Sequence, residues 1–118
     1  MGENVEDKEF VDALMKELRT ACDNRDWQTA PTLYERLLPA IGKDRGLRVE
    51  AGCLAARALA ATKERGRARS ILRALGGTAY KRPVHYEFLA RAWLDLKNYE
   101  EAAKACQLAE ERRREEQA

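Results

Sequence analysis

A chain of 118 residues is the size of one domain, and 45% hydrophobic with 36% charged residues is typical of a soluble globular protein. These fractions exclude a disordered tail and a fibrous repeat. Lysine and arginine number 22 against 20 acidic residues, and this balance of +2 argues against a chain whose main partner is nucleic acid or an anionic membrane.

Targeting and cysteine patterns favour a cytoplasmic protein. No stretch approaches the roughly 18 apolar residues that a membrane span requires, and the acidic amino end lacks the basic and apolar parts of a secretion signal. Cys22, Cys53 and Cys106 are far apart and odd in number, with no Cys/His cluster. We therefore expect reduced thiols, no metal and no cofactor, with Cys22 and Cys106 as small core residues.

The spacing of apolar residues is helical throughout and predicts six helices in three pairs. Pro31 is placed in the first turn of the second helix, where its missing N–H is not needed, and that helix is expected to end near Pro39. Two glycines, Gly76 and Gly77, end the fourth helix, and Pro83 opens the fifth. The short second helix is marked by Leu33, Tyr34, Leu37 and Leu38. The other predicted helices cover about residues 6–23, 47–62, 65–75, 83–96 and 100 onward.

The three pairs repeat, and a small residue in the second helix of each pair marks the period. This landmark is Ala30, Ala68 and Ala102, at spacings of 38 and 34 residues. Small residues let two helices approach, while large ones fill the space between neighbouring units. The last unit shows the pattern most clearly, with Tyr86, Leu89, Ala90 and Trp93 followed by Tyr99, Ala102, Cys106 and Ala109.

This pattern resembles the tetratricopeptide repeat, best in the unit at about 83–110 and less well in those at about 11–38 and 49–76. The resemblance implies an all-α fold in a single domain, residues 1–118, with a polar helical tail at 111–118. The fold would be an α-solenoid of three antiparallel helix pairs in a right-handed superhelix. A helical-hairpin array outside this family is the alternative.

The family resemblance also implies a non-enzymatic adaptor or chaperone-like scaffold. Its concave groove, formed by the first helix of each pair, would hold a partner peptide or helix. Arg19, Arg57 and Arg91 each precede their landmark alanine by eleven residues, so the resemblance puts them in a row along this groove, where they could engage an acidic segment. The apolar residues predicted around this row are Met15, Leu54, Val84, Phe88 and Leu94.

Ordinary pairing along a helix surface is the alternative explanation of the arginines. Asp23 lies four residues after Arg19, and Glu87 and Asp95 flank Arg91 at the same spacing. Such pairs stabilise a helix by about 0.2–0.5 kcal/mol without any ligand. Arg57 alone has no carboxylate at that spacing.

A basic segment at residues 63–82 supports a second function class, nucleic-acid association. It carries seven basic side chains against Glu64 alone, and Arg65, Arg69 and Arg73 lie on one helix stripe. No aromatic residue alternates with them to stack on a base, so a solvated face is the commoner meaning. The segment could also meet the acidic residues 1–24 of a neighbouring molecule.

Catalysis has little support in the sequence, and we predict that the chain is not an enzyme. The lone His85 has no nucleophile or carboxylate in a motif that would use it. Cys53 is expected near Arg57, which would lower its thiol pKa, but no base accompanies it.

The carboxyl end leaves a third alternative open. No seventh helix follows the sixth, and the polar stretch 110–116 is expected to project into solvent or fray. The exposed end could be self-capped, could pair with another copy, or could mark a fragment of a longer array.

Overall fold

Helix-forming sequence runs through all of the chain that the structure describes. The computed structural model describes the backbone of residues 5–118 and the side chains of residues 8–118, so the first four residues of the acidic segment 1–24 lie outside it. Six α-helices and no strand occupy this range, which confirms the predicted all-α class. The helices are α1 (Val5–Asp23), α2 (Thr29–Ile41), α3 (Arg45–Ala61), α4 (Arg65–Gly76), α5 (Pro83–Asp95) and α6 (Tyr99–Gln117).

Short polar side chains fix where several helices begin. The Asp44 carboxylate accepts a hydrogen bond from the Leu47 N–H at 3.1 Å at the start of α3. At the start of α6, the Asn98 side-chain oxygen accepts one from the Glu101 N–H at 3.2 Å. Each cap satisfies an amide that has no partner inside its own helix.

The same turn joins the two helices of every pair. A residue five positions before each landmark alanine adopts a positive φ, and the N–H after it donates to a carbonyl five residues upstream, at 2.7, 2.8 and 3.0 Å. This is the left-handed helix end that is usually built on glycine. Its residues here are Arg25 (φ 58°), Lys63 (φ 69°) and Lys97 (φ 59°). The turns of the three units are therefore equivalent in backbone geometry.

The second helix is longer than predicted at its carboxyl end. Pro39 was expected to end it, yet α2 continues to Ile41 with Pro39 inside. Pro39 is exposed, whereas Ile41 is only 3% exposed. Burial of Ile41 therefore holds the last turn in place although Pro39 donates no hydrogen bond.

The helices pack in the order of the chain, each pair against the next. The first core contains buried residues of α1 and α2 with Ala51 and Ala58 of α3. The second core contains buried residues of α3 to α6 with Tyr80 from the loop before α5. Among residues 5–118 the first pair makes no contact with the third. Helix α3 therefore belongs to both cores, as in a solenoid whose units touch only their neighbours.

The carboxyl-terminal helix continues to Gln117 without fraying, and its polar stretch 110–116 is exposed, as the other predicted outcome requires, except at Arg112. Arg112, in the polar stretch 110–116, donates from Nε to the Tyr80 carbonyl at 2.8 Å, and its guanidinium lies 5.9 Å from the ring centre of Tyr86. Arg113 forms an ion pair with Glu87 of α5 at 3.0 Å. Arg112 and Arg113 fix this part of α6. The α4–α5 loop supplies a carbonyl acceptor, and α5 supplies an aromatic ring and a carboxylate.

Candidate functional site

Arg19, the member of the predicted arginine row in α1, is bound by a residue of a neighbouring helix. Arg19 forms a two-pronged ion pair with Glu50 of α3, with Nε 2.6 Å and Nη2 2.8 Å from the two carboxylate oxygens. Hydrogen bonding to Glu50 raises the pKa of Arg19 above its ordinary value. The alternative prediction that Arg19 pairs with Asp23 on its own helix was wrong. Glu50, across the helix interface, accepts two guanidinium N–H groups in a bidentate geometry.

The arginine of α3 has a partner that the sequence did not reveal. Arg57 Nε lies 2.7 Å from Asp95 Oδ2 of α5. Asp95 was predicted to pair with Arg91 on its own helix, and that prediction was wrong. The ion pair joins α3 to α5 and holds the Arg57 side chain in one orientation.

Arg91, the member of the row in α5, has no ion-pair partner within residues 8–118. Arg91 is exposed, and no carboxylate of residues 8–118 forms an ion pair with it. Its other predicted partner, Glu87, is bound instead to Arg113 of α6. Arg91 is therefore the member of the predicted row that has no ion pair within residues 8–118.

A cleft of about 550 Å³ brings Arg57 and Arg91 together at the carboxyl-terminal ends of α1, α3 and α5. Trp27, half-buried in the turn after α1, gives it an aromatic wall. Three guanidinium groups face two carboxylates there, so the lining is basic by one charge. The cleft, as we call this site, is lined by Cys22, Asp23, Arg25, Trp27, Arg57, Ala60, Ala61, Arg91 and Asp95.

Two lining residues, Arg25 and Trp27, were not predicted as site residues. The sequence places both in a turn, but only the stacking of pairs brings that turn beside the ends of α3 and α5. The signal was the repeat itself: Trp27 lies three residues before a landmark alanine, where the next unit is close.

The predicted apolar strip does not line the cleft. Met15 is 1% exposed within the first core, so its prediction as a groove residue was wrong. Leu54 and Phe88 are half-buried, Leu54 against the first core and Phe88 against the second. Val84 borders a separate depression near Arg113, and Leu94 is 46% exposed outside the cleft. The five residues therefore do not form one continuous apolar strip.

Two of the three cysteines, Cys22 and Cys53, are buried. Burial raises the pKa of Cys22 to about 11 and raises that of Cys53 further, although Arg57 lowers both. The expected lowering of the Cys53 pKa was wrong, because loss of solvation outweighs the guanidinium. Cys106 is exposed, so its prediction as a core residue was wrong as well.

The basic segment 63–82 is partly neutralised. Arg67 pairs with Glu64 at 3.2 Å and Glu35 at 3.4 Å, and Arg65 donates to the Leu96 carbonyl at 3.4 Å. Arg69 and Arg73 are exposed and form no ion pair within residues 8–118. The stripe therefore presents fewer free guanidinium groups than its sequence indicates.

His85 lies in the first turn of α5, and its ring is close to Gly46 at the start of α3. Its ring meets Tyr80 edge to face at 5.6 Å, and a Cβ on Gly46 would come 3.0 Å from Nε2. Nδ1 is buried and has no hydrogen-bond partner among the described residues. Burial, helped by Arg82, lowers the His85 pKa, while Asp44 and Glu50 oppose the shift.

We expect stability to fall on acidification because of His85. Its folded-state pKa is below the unfolded value of about 6.5, so its contribution is complete above that pH and is lost as pH falls towards the folded pKa. Urea midpoints at about pH 7.5 and about pH 5.5 should differ more for the wild type than for His85→Gln. Equal pH responses of the two proteins would contradict this prediction.

Among the residues that the structure describes, no group of His, Cys, Asp and Glu could hold a metal ion, and no helix has the length and apolarity to cross a membrane. Compared with protein-family models, curated proteins and solved structures, the chain gives no match. The cleft is therefore interpreted from its own geometry.

Proposed function

We propose that this chain is a non-enzymatic protein-interaction module, adaptor or chaperone-like, that binds an acidic peptide segment of a partner protein in the cleft. The observation that carries the proposal is the open guanidinium of Arg91 in the same cleft as the half-buried indole of Trp27. The resemblance to tetratricopeptide repeats agrees with this role but does not identify the partner.

The chemistry of the cleft favours carboxylates. A guanidinium group offers parallel N–H donors that match a carboxylate, and the indole can cover the apolar stem of a glutamate. Arg57 is already fixed by Asp95 at 2.7 Å, so it contributes positive field rather than a free fork. Arg91 and Arg25 are left to make the direct contacts.

The same geometry limits the affinity. Both arginines are exposed, so each ion pair with a peptide forms in screened solvent and stabilises the complex by about 1 kcal/mol or less. We therefore expect weak binding that declines with salt. The apolar contact with Trp27 should persist at high salt.

The test follows Trp27 fluorescence, since the other tryptophan, Trp93, is buried. A short blocked peptide of alternating glutamate and alanine is titrated beside its glutamine counterpart. We expect the glutamate peptide to bind more tightly, and Arg91→Glu to weaken it about tenfold or more by reversing the charge at the contact.

The matched control is Arg36→Glu, which makes the same charge change on the exposed surface of α2, outside the cleft. It should bind the glutamate peptide nearly as the wild type does. Equal affinity for the two peptides, or an equal loss of affinity in the two variants, would contradict peptide binding in the cleft.

A further inference from the structure

Comparison of equivalent positions in the three units shows which side chains contact the unit that follows. Arg19 and Arg57, eleven residues before their landmark alanines, bind carboxylates of the next first helix at 2.6 and 2.7 Å. Arg91 occupies this position in the last unit. No further first helix follows it in the described chain, so the contact that its two equivalents make is not made there.

A second position repeats the observation with an apolar side chain. Eight residues before the landmark, Cys22 Sγ lies 3.7 Å from the Leu54 carbonyl of the next unit. Ala60 holds the same position in the second unit and packs against the second core. The equivalent in the last unit is Leu94, which is 46% exposed.

A third position lies at the start of the second helix. Three residues before the landmark, Trp27 borders the cleft together with the end of α3, and Arg65 donates to the Leu96 carbonyl at the end of α5. The equivalent in the last unit is Tyr99, 65% exposed. We name Arg91, Leu94 and Tyr99 the end face. It carries all three kinds of stacking side chain, and the described chain has no following unit for them to contact.

The acidic residues of α1 include both carboxylate positions that accept an arginine inside the stack. Glu50 lies 18 residues before its landmark alanine and Asp95 lies seven before its own. Counted from Ala30, the same two positions in the first unit are Asp12 and Asp23, and both are exposed. Helix α1 thus has a carboxylate at each position that accepts an arginine inside the stack, and the described chain has no preceding unit to use them.

We propose that the end face binds helix α1 of a second copy of this chain, head to tail. In this arrangement α1 takes the place that a fourth first helix would have. Arg91 pairs with Asp12 or Asp23 of the second copy, and Leu94 and Tyr99 become covered. The charges complement each other as they do between α1 and α3 and between α3 and α5, where Arg19 and Arg57 reach two different positions of the next first helix.

The two contacting surfaces differ, so the contact does not close on itself and adds further copies in a row. Lys16 and Thr20 of α1 are exposed and polar, which keeps the association weak, reversible and salt-sensitive. Arg91 belongs to both the cleft and the end face, whereas Leu94 and Tyr99 belong to the end face alone. Substitution of Leu94 therefore separates self-association from peptide binding.

The test is sedimentation equilibrium from micromolar to millimolar protein. The mean mass of the wild type should rise with concentration, and Leu94→Glu should raise the dissociation constant about tenfold or more. Arg73→Asp, a charge change in α4 away from both ends, is the control and should associate as the wild type does. Circular dichroism checks that each variant is folded.

A charge swap tests the pairing of Arg91 with the carboxylates of α1. Arg91→Asp alone, and Asp12→Arg with Asp23→Arg alone, should each remain monomeric because like charges then face each other. An equimolar mixture of these two variants should associate again. A monomeric wild type throughout, association of Leu94→Glu like that of the wild type, or failure of the mixture to associate would each overturn the proposal.

Discussion

Leu72→Ala should lower the free energy of unfolding by about 2–5 kcal/mol, the largest loss that we expect from a single truncation. Leu72 is fully buried in the second core. The same core contains several alanines, among them Ala56 and Ala68, whose short side chains cannot extend to fill a space that the leucine leaves. The cavity should therefore stay largely unfilled, and its surface adds to the lost transfer free energy.

Urea denaturation measures this effect, with Leu94→Ala as the matched control. The control removes the same atoms from a side chain that is 46% exposed, so it should cost less than about 1 kcal/mol. Similar losses in the two variants would show that Leu72 is not at the centre of a packed core. A change in the slope of the transition would instead indicate loss of two-state behaviour.

Gly52→Leu should be the second severe substitution, with a loss of about 1–3 kcal/mol or more from overpacking. Gly52 lies on α3 where α4 crosses closely: a Cβ placed there would be 2.6 Å from Leu75 Cδ1 and 3.3 Å from Ile71 Cγ2. Alanine is tolerated better, since Leu75 can turn aside and helix propensity improves by up to about 1 kcal/mol. A leucine needs the two helices to separate.

The control is Gly66→Leu, at a helical glycine where a Cβ would have no neighbouring atom within 4 Å. It should leave the urea midpoint unchanged or raise it, because only the helix propensity changes. Equal tolerance of leucine at the two glycines would contradict the close approach of α3 and α4.

The helices and their pairing could be predicted because their signals are local. The three landmark alanines are 0%, 0% and 2% exposed, as the close approach of paired helices requires. Helix lengths follow from apolar spacing and from proline and glycine. The exception is the last turn of α2, which depends on burial of Ile41. Burial is a tertiary effect, so the local preference of Pro39 to end a helix could not predict it.

The candidate site was harder to predict because it depends on how the pairs rotate against each other. Arg19 and Glu50 are 31 residues apart, and Arg57 and Asp95 are 38 apart, so spacing along one helix could not find either pair. Met15 shows the same problem for apolar residues. A small difference in helix rotation decides whether such a side chain faces a groove or the next helix, and here it is buried in the first core.

Because α3 contributes to both cores, the cooperativity of the whole chain passes through one helix. Val49, Cys53 and Leu59 face the second core from α3, while Ala51 and Ala58 face the first. Loosening at either terminus is felt on one side only. Unfolding of α3 disrupts both cores together. The two ends of the molecule can therefore unfold locally and separately, whereas complete unfolding requires loss of α3.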